Sequence, residues 1–430
     1  MLVRNATLAD GRVRDVRVEK GRIDAVGTDL TGGGRTVDAD ERLLLPGAVD
    51  AHVHFREPGA PQKETWRTGS RSAAAGGVTT VVDQPNTDPP TTTGTAYDQK
   101  ELLARESLVD FGISGGVTAD WTPDTLFDRP IFALGEVFLA DSTGDMGIDG
   151  DLFADAVARA AAAGVPVTVH AEDATRFESG VRDTGSGTGR DADADPWSAY
   201  RTAEAEIAAV ERAVEVGVDA GARLHVAHTS TPEAVDIVAD APDRVTCEVT
   251  PHHCLLSRAD LDDLGTFGRM NPPLRSEQRR AALFDRVVDG RVDTVATDHA
   301  PHTRAEKETT LWEAPSGVPG VETMVPLLLA ETRSGPLTVE RVRDLTAAVP
   351  AETFGLHTKG RIETGRDADL ALYDLTRTRP IRGKRLHSNC GWTPFENRPA
   401  VFPEWTTVRG TRVYDGTMDE FRTAAGENVR

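Results

Sequence analysis

The chain has 430 residues and a formal net charge of −21, with a sequence pI near 5.0. This acidity argues against a nucleic-acid partner, and no apolar stretch is long enough to predict a membrane span. The first residues lack the apolar segment of a signal peptide, and three scattered cysteines form no disulfide framework, so we expect a cytoplasmic protein.

The basic residues are mostly arginines. Only six of the 48 are lysines, at positions 20, 63, 100, 307, 359 and 384. A lysine-poor, strongly acidic surface is typical of a halophile-like protein, because high salt screens the repulsion between like charges. A genome biased towards arginine and alanine would give the same composition, so both explanations stay open.

Both ends of the chain predict short strands joined by turns. Residues 13–27 alternate between apolar and polar side chains, and residues 361–375 and 404–416 follow a similar pattern. We expect residues 1–47 and 358–430 to combine into one small β-sandwich domain. Residues 48–357 would then form a second domain, inserted between the two ends.

The middle of the chain alternates predicted strands with predicted helices. The strand candidates are residues 47–55, 78–85, 110–118, 131–139, 165–172, 223–230, 245–253 and 292–300. The clearest helix candidates are residues 96–107, 151–164, 198–217, 276–288 and 321–333. Eight strands alternating with helices predict a parallel (β/α)8 TIM-like barrel. An open doubly wound sheet is the alternative, but no GxGxxG motif follows the first strand.

Histidines and carboxylates collect where these strands end. His52 and His54 are two residues apart on the first strand, so their side chains share a face. The other candidates are Glu136 within the fourth strand, and His170, His228 and Asp298 at the ends of the fifth, sixth and eighth. Because the carboxyl ends of barrel strands form the catalytic face, we expect these side chains to meet in a metal site.

Longer motifs surround these residues. They include HVHFREPG (52–59), QPNTDPP (84–90), MNPPLR (270–275) and ATDHAPHT (296–303). On these motifs the chain resembles the amidohydrolase superfamily and, within it, the long-chain dihydroorotases of bacteria and archaea. The resemblance implies reversible closure of N-carbamoyl-L-aspartate to (S)-dihydroorotate with loss of water, in pyrimidine biosynthesis. The expected partner is this small molecule; a homodimer and an association with a transcarbamoylase stay open.

The resemblance also implies a site for two zinc ions bridged by a carboxylate. The implied ligands are His52, His54 and Asp298 for one ion, and His170 and His228 for the other. Many relatives use a carbamylated lysine on the fourth strand as the bridge, but this chain has no lysine between Lys100 and Lys307. Glu136 aligns with that position and is the expected bridge. Asp141 is the alternative, and a site with a single ion is a third.

Arg56 lies two residues after His54, just past the pair of histidines, and its planar charged fork suits a substrate carboxylate. The resemblance adds Asn86 and His302 to the same carboxylate and Asn271 to the polar groups of the ring. It assigns Asp298 the transfer of a proton from the attacking water to the leaving nitrogen.

Other functions stay open on the same barrel. Allantoinase and dihydropyrimidinase act on rings without a carboxylate, so Arg56 argues against them. A metal-dependent deaminase would be expected to lack the FREPG and NPPLR motifs. A catalytically inactive scaffold protein is a further alternative, because the expected lysine is missing.

Overall fold

The computed structural model describes residues 1–32, 34–139, 146–423 and 426–430. Its strands are β1 (Leu2–Thr7), β2 (Val13–Glu19), β3 (Arg22–Gly27), β4 (Thr36–Asp38), β5 (Leu43–Pro46), β6 (Ala48–Val53), β7 (Val78–Asp83), β8 (Asp110–Ile113), β9 (Leu134–Phe138), β10 (Val167–His170), β11 (Leu224–Val226), β12 (Val245–Val249), β13 (Thr294–Val295), β14 (Leu370–Tyr373), β15 (Arg379–Pro380), β16 (Pro399–Ala400), β17 (Pro403–Val408), β18 (Thr411–Asp415) and β19 (Glu420–Phe421).

The α-helices fill most of the intervals between these strands. They are α1 (Trp66–Gly76), α2 (Gly94–Ala104), α3 (Pro123–Phe127), α4 (Gly150–Ala163), α5 (Asp195–Tyr200), α6 (Ala203–Asp219), α7 (Pro232–Ala239), α8 (Pro251–Leu255), α9 (Leu261–Leu264), α10 (Glu277–Val288), α11 (Arg304–Lys307), α12 (Met324–Glu331), α13 (Val339–Arg343) and α14 (Val349–Thr353). Among the described residues, no helix combines the length and the apolar character that a membrane crossing requires.

Strands β6 to β13 form the barrel. They pair in parallel as two arcs, β6-β7-β8 and β9-β10-β11-β12-β13. Single bridges close the two seams, between Gly115 and Leu134 and between Val53 and His299. Helices cover the outside, so strands such as β7 are buried along their whole length. The predicted barrel is confirmed, and each predicted strand contains an observed one.

One predicted helix is divided in two. Residues 198–217 fall into α5 and α6, which are separated at Arg201 and Thr202. Thr202 is extended and caps α6, since its hydroxyl accepts a hydrogen bond from Ala205 N at 3.2 Å. Arg201 leaves the helical path and pairs with Glu172 inside the protein.

The two ends of the chain combine into one β domain, as predicted. A hydrogen-bonded sheet runs in the order β19-β18-β17-β14-β5-β1-β2-β3, and β4 pairs with β1. Side chains from both halves of this sheet, including Val16 and Trp405, share an apolar cluster of their own. The last residues leave this domain, because Glu427 and Val429 form main-chain hydrogen bonds with Phe111 of the barrel strand β8.

Candidate metal centre and active site

The strand ends bring the six predicted metal ligands together, and all six are buried. His52 lies on β6, Glu136 on β9 and His170 at the end of β10, while His54, His228 and Asp298 lie just beyond β6, β11 and β13. They form two triads, His52–His54–Asp298 and Glu136–His170–His228, and the ligand atoms within each triad lie within 4.8 Å of one another. Asp141, the alternative bridge, lies outside the described residues.

The carboxylate of Glu136 reaches both triads. Its Oε1 lies 2.7 Å from His228 Nε2 and 3.3 Å from His170 Nδ1. Its Oε2 lies 3.5 Å from His52 Nε2 and 4.0 Å from His54 Nε2. Burial alone would raise the pKa of this carboxyl, but the neighbouring imidazoles of His52, His170 and His228 hold it well below its usual range.

The spacing around His52 and His54 suits a tetrahedral ion. Asp298 Oδ1 lies 3.0 Å from His54 Nε2 and 3.6 Å from His52 Nε2. Nitrogen and oxygen ligands of tetrahedral zinc are about 3.4 Å apart when each lies about 2.1 Å from the metal. His52 Nε2 is also buried without a hydrogen-bond partner among the described residues, as expected of a nitrogen that awaits an ion. The donor set therefore fits a divalent cation.

The second triad offers three ligand atoms. His170 Nδ1 and His228 Nε2 lie 3.0 Å apart, and Glu136 Oε1 completes the set. With one Glu136 oxygen counted for each group, the first group offers four ligand atoms and the second offers three. A tetrahedral ion held by the second group would therefore keep one coordination position open. Open coordination positions are typical of catalytic metal sites.

For three of the four histidines, the ring nitrogen that faces away from the ligand atoms lies beside an oxygen acceptor. The pairs are His52 Nδ1 with Glu248 Oε1 at 2.5 Å, His54 Nδ1 with Asn86 Oδ1 at 2.7 Å, and His170 Nε2 with Glu172 Oε2 at 3.1 Å. At His52 and His54 this contact is a hydrogen bond, and a proton held there leaves the lone pair of the other nitrogen for a metal and fixes the orientation of the ring. At His170 the contact is an ion-pair distance without hydrogen-bond geometry.

Glu248 and Glu172 were not among the predicted site residues. Glu248 is an acidic residue within the otherwise uncharged strand β12, and it also lies 3.2 Å from His225 Nε2. Glu172 follows His170 by two residues and pairs with Arg201 Nη2 at 2.6 Å. An acidic residue inside an apolar strand, or two residues beyond a ligand histidine, is the sequence signal that could have identified them.

Three residues of the site have left-handed backbone conformations. Their φ angles are 63° at Arg56, 33° at His228 and 43° at Asp298. The left-handed conformation costs a residue other than glycine roughly 1–3 kcal/mol, and such strain is common at functional sites. The surrounding hydrogen bonds hold the chain there; next to Arg56, for example, Phe55 N donates to Asp83 Oδ1 at 2.6 Å.

Arg56 lies in the wall of the cavity above the two triads. Its side chain is buried, with 9% of the residue surface exposed. Its Nε donates to Pro301 O at 3.3 Å, and its Nη2 lies 3.3 Å from His302 Nε2. Burial lowers the pKa of this guanidinium. Among the described residues no carboxylate oxygen lies within 4 Å of it, so its charge has no ion-pair partner.

Two of the three remaining predicted substrate contacts line the same cavity as this guanidinium. Asn86 and Asn271 line the same cavity, and Trp197 Nε1 donates to Asn271 Oδ1 at 3.2 Å. His302 is not among the described residues that line it. Instead it lies behind Arg56, where its Nε2 donates to Ser316 O at 2.9 Å.

Comparison with known proteins identifies the family of the chain. The model of the amidohydrolase family matches residues 43–406. A dihydroorotase of Halobacterium salinarum is 64% identical and aligns with 100% of this chain and 99% of its own. An allantoinase of Rubrobacter xylanophilus is 37% identical, with 97% and 94% covered. The solved L-hydantoinase (dihydropyrimidinase) from Arthrobacter aurescens has a TM-score of 0.93 at 28% identity, over 99% of this chain and 98% of its own. The chain therefore belongs to the amidohydrolase family.

Proposed function

We propose that the chain is a dihydroorotase, which interconverts N-carbamoyl-L-aspartate and (S)-dihydroorotate in pyrimidine biosynthesis. The observation that carries this proposal is the buried guanidinium of Arg56, which has no carboxylate partner among the described residues. An unpaired buried charge is costly, so we expect the ligand to supply the carboxylate. Dihydroorotate carries one on its ring, whereas allantoin and dihydrouracil do not. The dihydroorotase of H. salinarum, at 64% identity, supports the same choice.

We propose two divalent cations, with zinc as the expected metal. The proposed ligands are His52, His54 and Asp298 for one ion, His170 and His228 for the other, and Glu136 between them. When bound, the ions would lower the pKa of the attacking water and polarise the ring carbonyl as Lewis acids.

Asp298 is the proposed proton carrier. Its Oδ1 faces His54, and Oδ2 has no hydrogen bond or ion pair among the described residues. Burial would raise the pKa of Asp298, but the nearby His54 and His52 lower it below its ordinary value. The carboxylate is therefore ionised at neutral pH. It can take a proton from the attacking water and pass it to the ring nitrogen as the bond to carbon breaks.

Arg56, Asn86 and Asn271 are proposed to orient the ring. Arg56 would grip its carboxylate as a charged fork. The Oδ1 atoms of Asn86 and Asn271 are engaged by His54 and Trp197, so their amide NH2 groups are available to ligand oxygens. His302 would support the grip from behind Arg56.

The domain division, the oligomeric state, the protein partners and the cellular location are predictions from the sequence. We propose the domain division at residues 1–47 with 358–430 and 48–357, where the return of the last residues to β8 is the exception. A homodimer, an association with a transcarbamoylase and a cytoplasmic location stay predictions.

The test is ring opening of dihydroorotate by zinc-loaded protein in molar salt, with allantoin and dihydrouracil as parallel substrates. We expect turnover of dihydroorotate in clear preference to the other two, and its loss after metal removal by a chelator. Preference for a ring without a carboxylate would contradict the role of Arg56. Inactivity towards all three rings in folded, metal-loaded protein would favour the scaffold function.

A further inference from the structure

Lys63 is a charged side chain that the proposed function leaves unused. It lies beyond the turn that follows Arg56, and its side chain is 18% exposed. Its Nζ lies 2.9 Å from Glu306 Oε1 and 3.2 Å from His302 Nδ1. Glu306 is fixed in turn, because its Oε2 accepts hydrogen bonds from Thr303 N and Oγ1 at 2.9 and 2.8 Å. Lys63 thus joins the segment that carries Arg56 to the segment that carries His302.

These contacts determine which ring nitrogen of His302 carries the proton. An ammonium nitrogen only donates hydrogen bonds, so Nδ1 of His302 must accept from Lys63. A carbonyl oxygen only accepts, so Nε2 must donate to Ser316 O at 2.9 Å. Both neighbours therefore require the same tautomer, with the proton on Nε2.

The tautomer in turn determines what Arg56 can bind. Arg56 Nη2 lies 3.3 Å from His302 Nε2, and a protonated Nε2 cannot accept a hydrogen bond from it. The N–H of Nη2 that faces the ring is then not bound to the imidazole, and the guanidinium stays free to turn towards a carboxylate in the cavity. With the proton on Nδ1, Nε2 would instead accept from Arg56, and the guanidinium would be bound to the imidazole.

His302 is neutral, so only one of its two ring nitrogens carries a proton. Burial lowers the pKa of His302 well below its ordinary value, and the positive charges of Arg56, Lys307 and Lys63 lower it further. Only 2% of the surface of His302 is exposed, so water does not compete strongly for either nitrogen.

We propose that Lys63 is a positioning residue for substrate binding, whose ammonium holds His302 in the Nε2–H tautomer and so keeps the Arg56 guanidinium free for the substrate carboxylate. This inference rests on the proposed function, because that carboxylate is the expected partner of Arg56. It adds a residue outside the metal ligands and outside the cavity wall, and it links the specificity for a carboxylate to one lysine.

The first test is the substitution Lys63→Met, which removes the ammonium and keeps most of the stem. We expect KM for dihydroorotate to rise about tenfold, because one charge-assisted hydrogen bond is weakened, while kcat changes less than about twofold. Any turnover of dihydrouracil should keep its kcat/KM, since that ring has no carboxylate. Zinc content and Tm should match the wild type.

Two variants serve as controls. Glu306→Gln removes the ion pair and keeps the contact between Lys63 and His302, so KM should stay near the wild-type value. Lys384→Met removes an exposed lysine with no ion-pair partner among the described residues and should change nothing. An unchanged KM in Lys63→Met would overturn the inference. An equal rise of KM in Glu306→Gln would also overturn it. So would an equal loss of kcat/KM for dihydroorotate and dihydrouracil in Lys63→Met.

A second readout needs no substrate. In spectra of protein with 15N-labelled histidine, we expect His302 to carry its proton on Nε2, and His302→Gln assigns the signal by its loss. In Lys63→Met the proton should move partly to Nδ1, because Arg56 Nη2 then competes with Ser316 O for Nε2. A proton on Nδ1 in the wild type overturns the inference even if dihydroorotate is turned over. The expected tautomer without dihydroorotate turnover would instead overturn the proposed function.

Discussion

Replacing Arg56 by methionine tests why the site would select a ring with a carboxylate. The substitution removes the charge and keeps a side chain of similar length in a buried position. Two unit charges 4 Å apart interact by about 4 kcal/mol at an effective dielectric constant near 20. Breaking a buried pair from one side costs a similar amount, about 3–5 kcal/mol. We therefore expect kcat/KM for dihydroorotate to fall roughly 10²–10⁴-fold.

The assay compares two rings in the same variant. Ring opening of dihydroorotate should fall by this factor in Arg56→Met, whereas any opening of dihydrouracil should stay within about threefold of wild type, because that ring has no carboxylate for the guanidinium to bind. Arg304→Met is the matched control, since its exposed guanidinium contacts just Gly391 O, at 3.2 Å, within the part of the chain that the structure describes. An equal loss on both rings would refute the reasoning, because Arg56 would then support the fold or the metal site and not the carboxylate.

Three further predictions concern the contact of Glu248 with His52, the buried imidazole of His253 and the net charge of the chain. Glu248→Gln should weaken zinc binding about 10–100-fold by releasing the outer nitrogen of His52, as measured by competition with a chromogenic chelator. Burial lowers the pKa of His253 to about 4, so the folded protein keeps this imidazole neutral while the unfolded chain takes up a proton near pH 6.5. Its contribution to stability is therefore present above pH 6.5 and falls by up to ~3 kcal/mol as the pH drops through 4. The decline in unfolding free energy between these pH values should be shallower in His253→Gln. The net charge of −21 predicts that the apparent Tm rises from dilute to molar KCl, and a Tm independent of salt would refute the halophile-like interpretation.

The barrel was predictable because its strands are short apolar runs in regular alternation with helices. The position of the site followed from the same pattern, since parallel strands in a barrel place their carboxyl ends on one face. For this reason His52, His170 and Asp298, which are far apart in the sequence, could be expected to meet. The single bridges that close the barrel, such as that between Val53 and His299, depend on three-dimensional closure and have no local signal.

The contacts behind the ligands were not predictable with the same ease. Glu248 lies at the distance of a hydrogen bond from His52, which is 196 residues away in the chain, so sequence spacing carries no information about the pair. Asn86 was assigned to the substrate, and the structure also places its Oδ1 against His54. The left-handed conformations at His228 and Asp298 oppose the usual preference of these residues, because tertiary contacts outweigh it there.

The bridging role of Glu136 is the central claim about the metal site, and metal stoichiometry tests it most directly. Protein freed of metal and reloaded with zinc in bicarbonate-free buffer should hold two ions per chain, because a glutamate bridge needs no carbamylation. Glu136→Gln should hold one ion or fewer, and Asp141→Asn should hold two. A wild-type protein that binds the second ion only when bicarbonate is added, or a Glu136→Gln variant that retains both ions, would contradict the account.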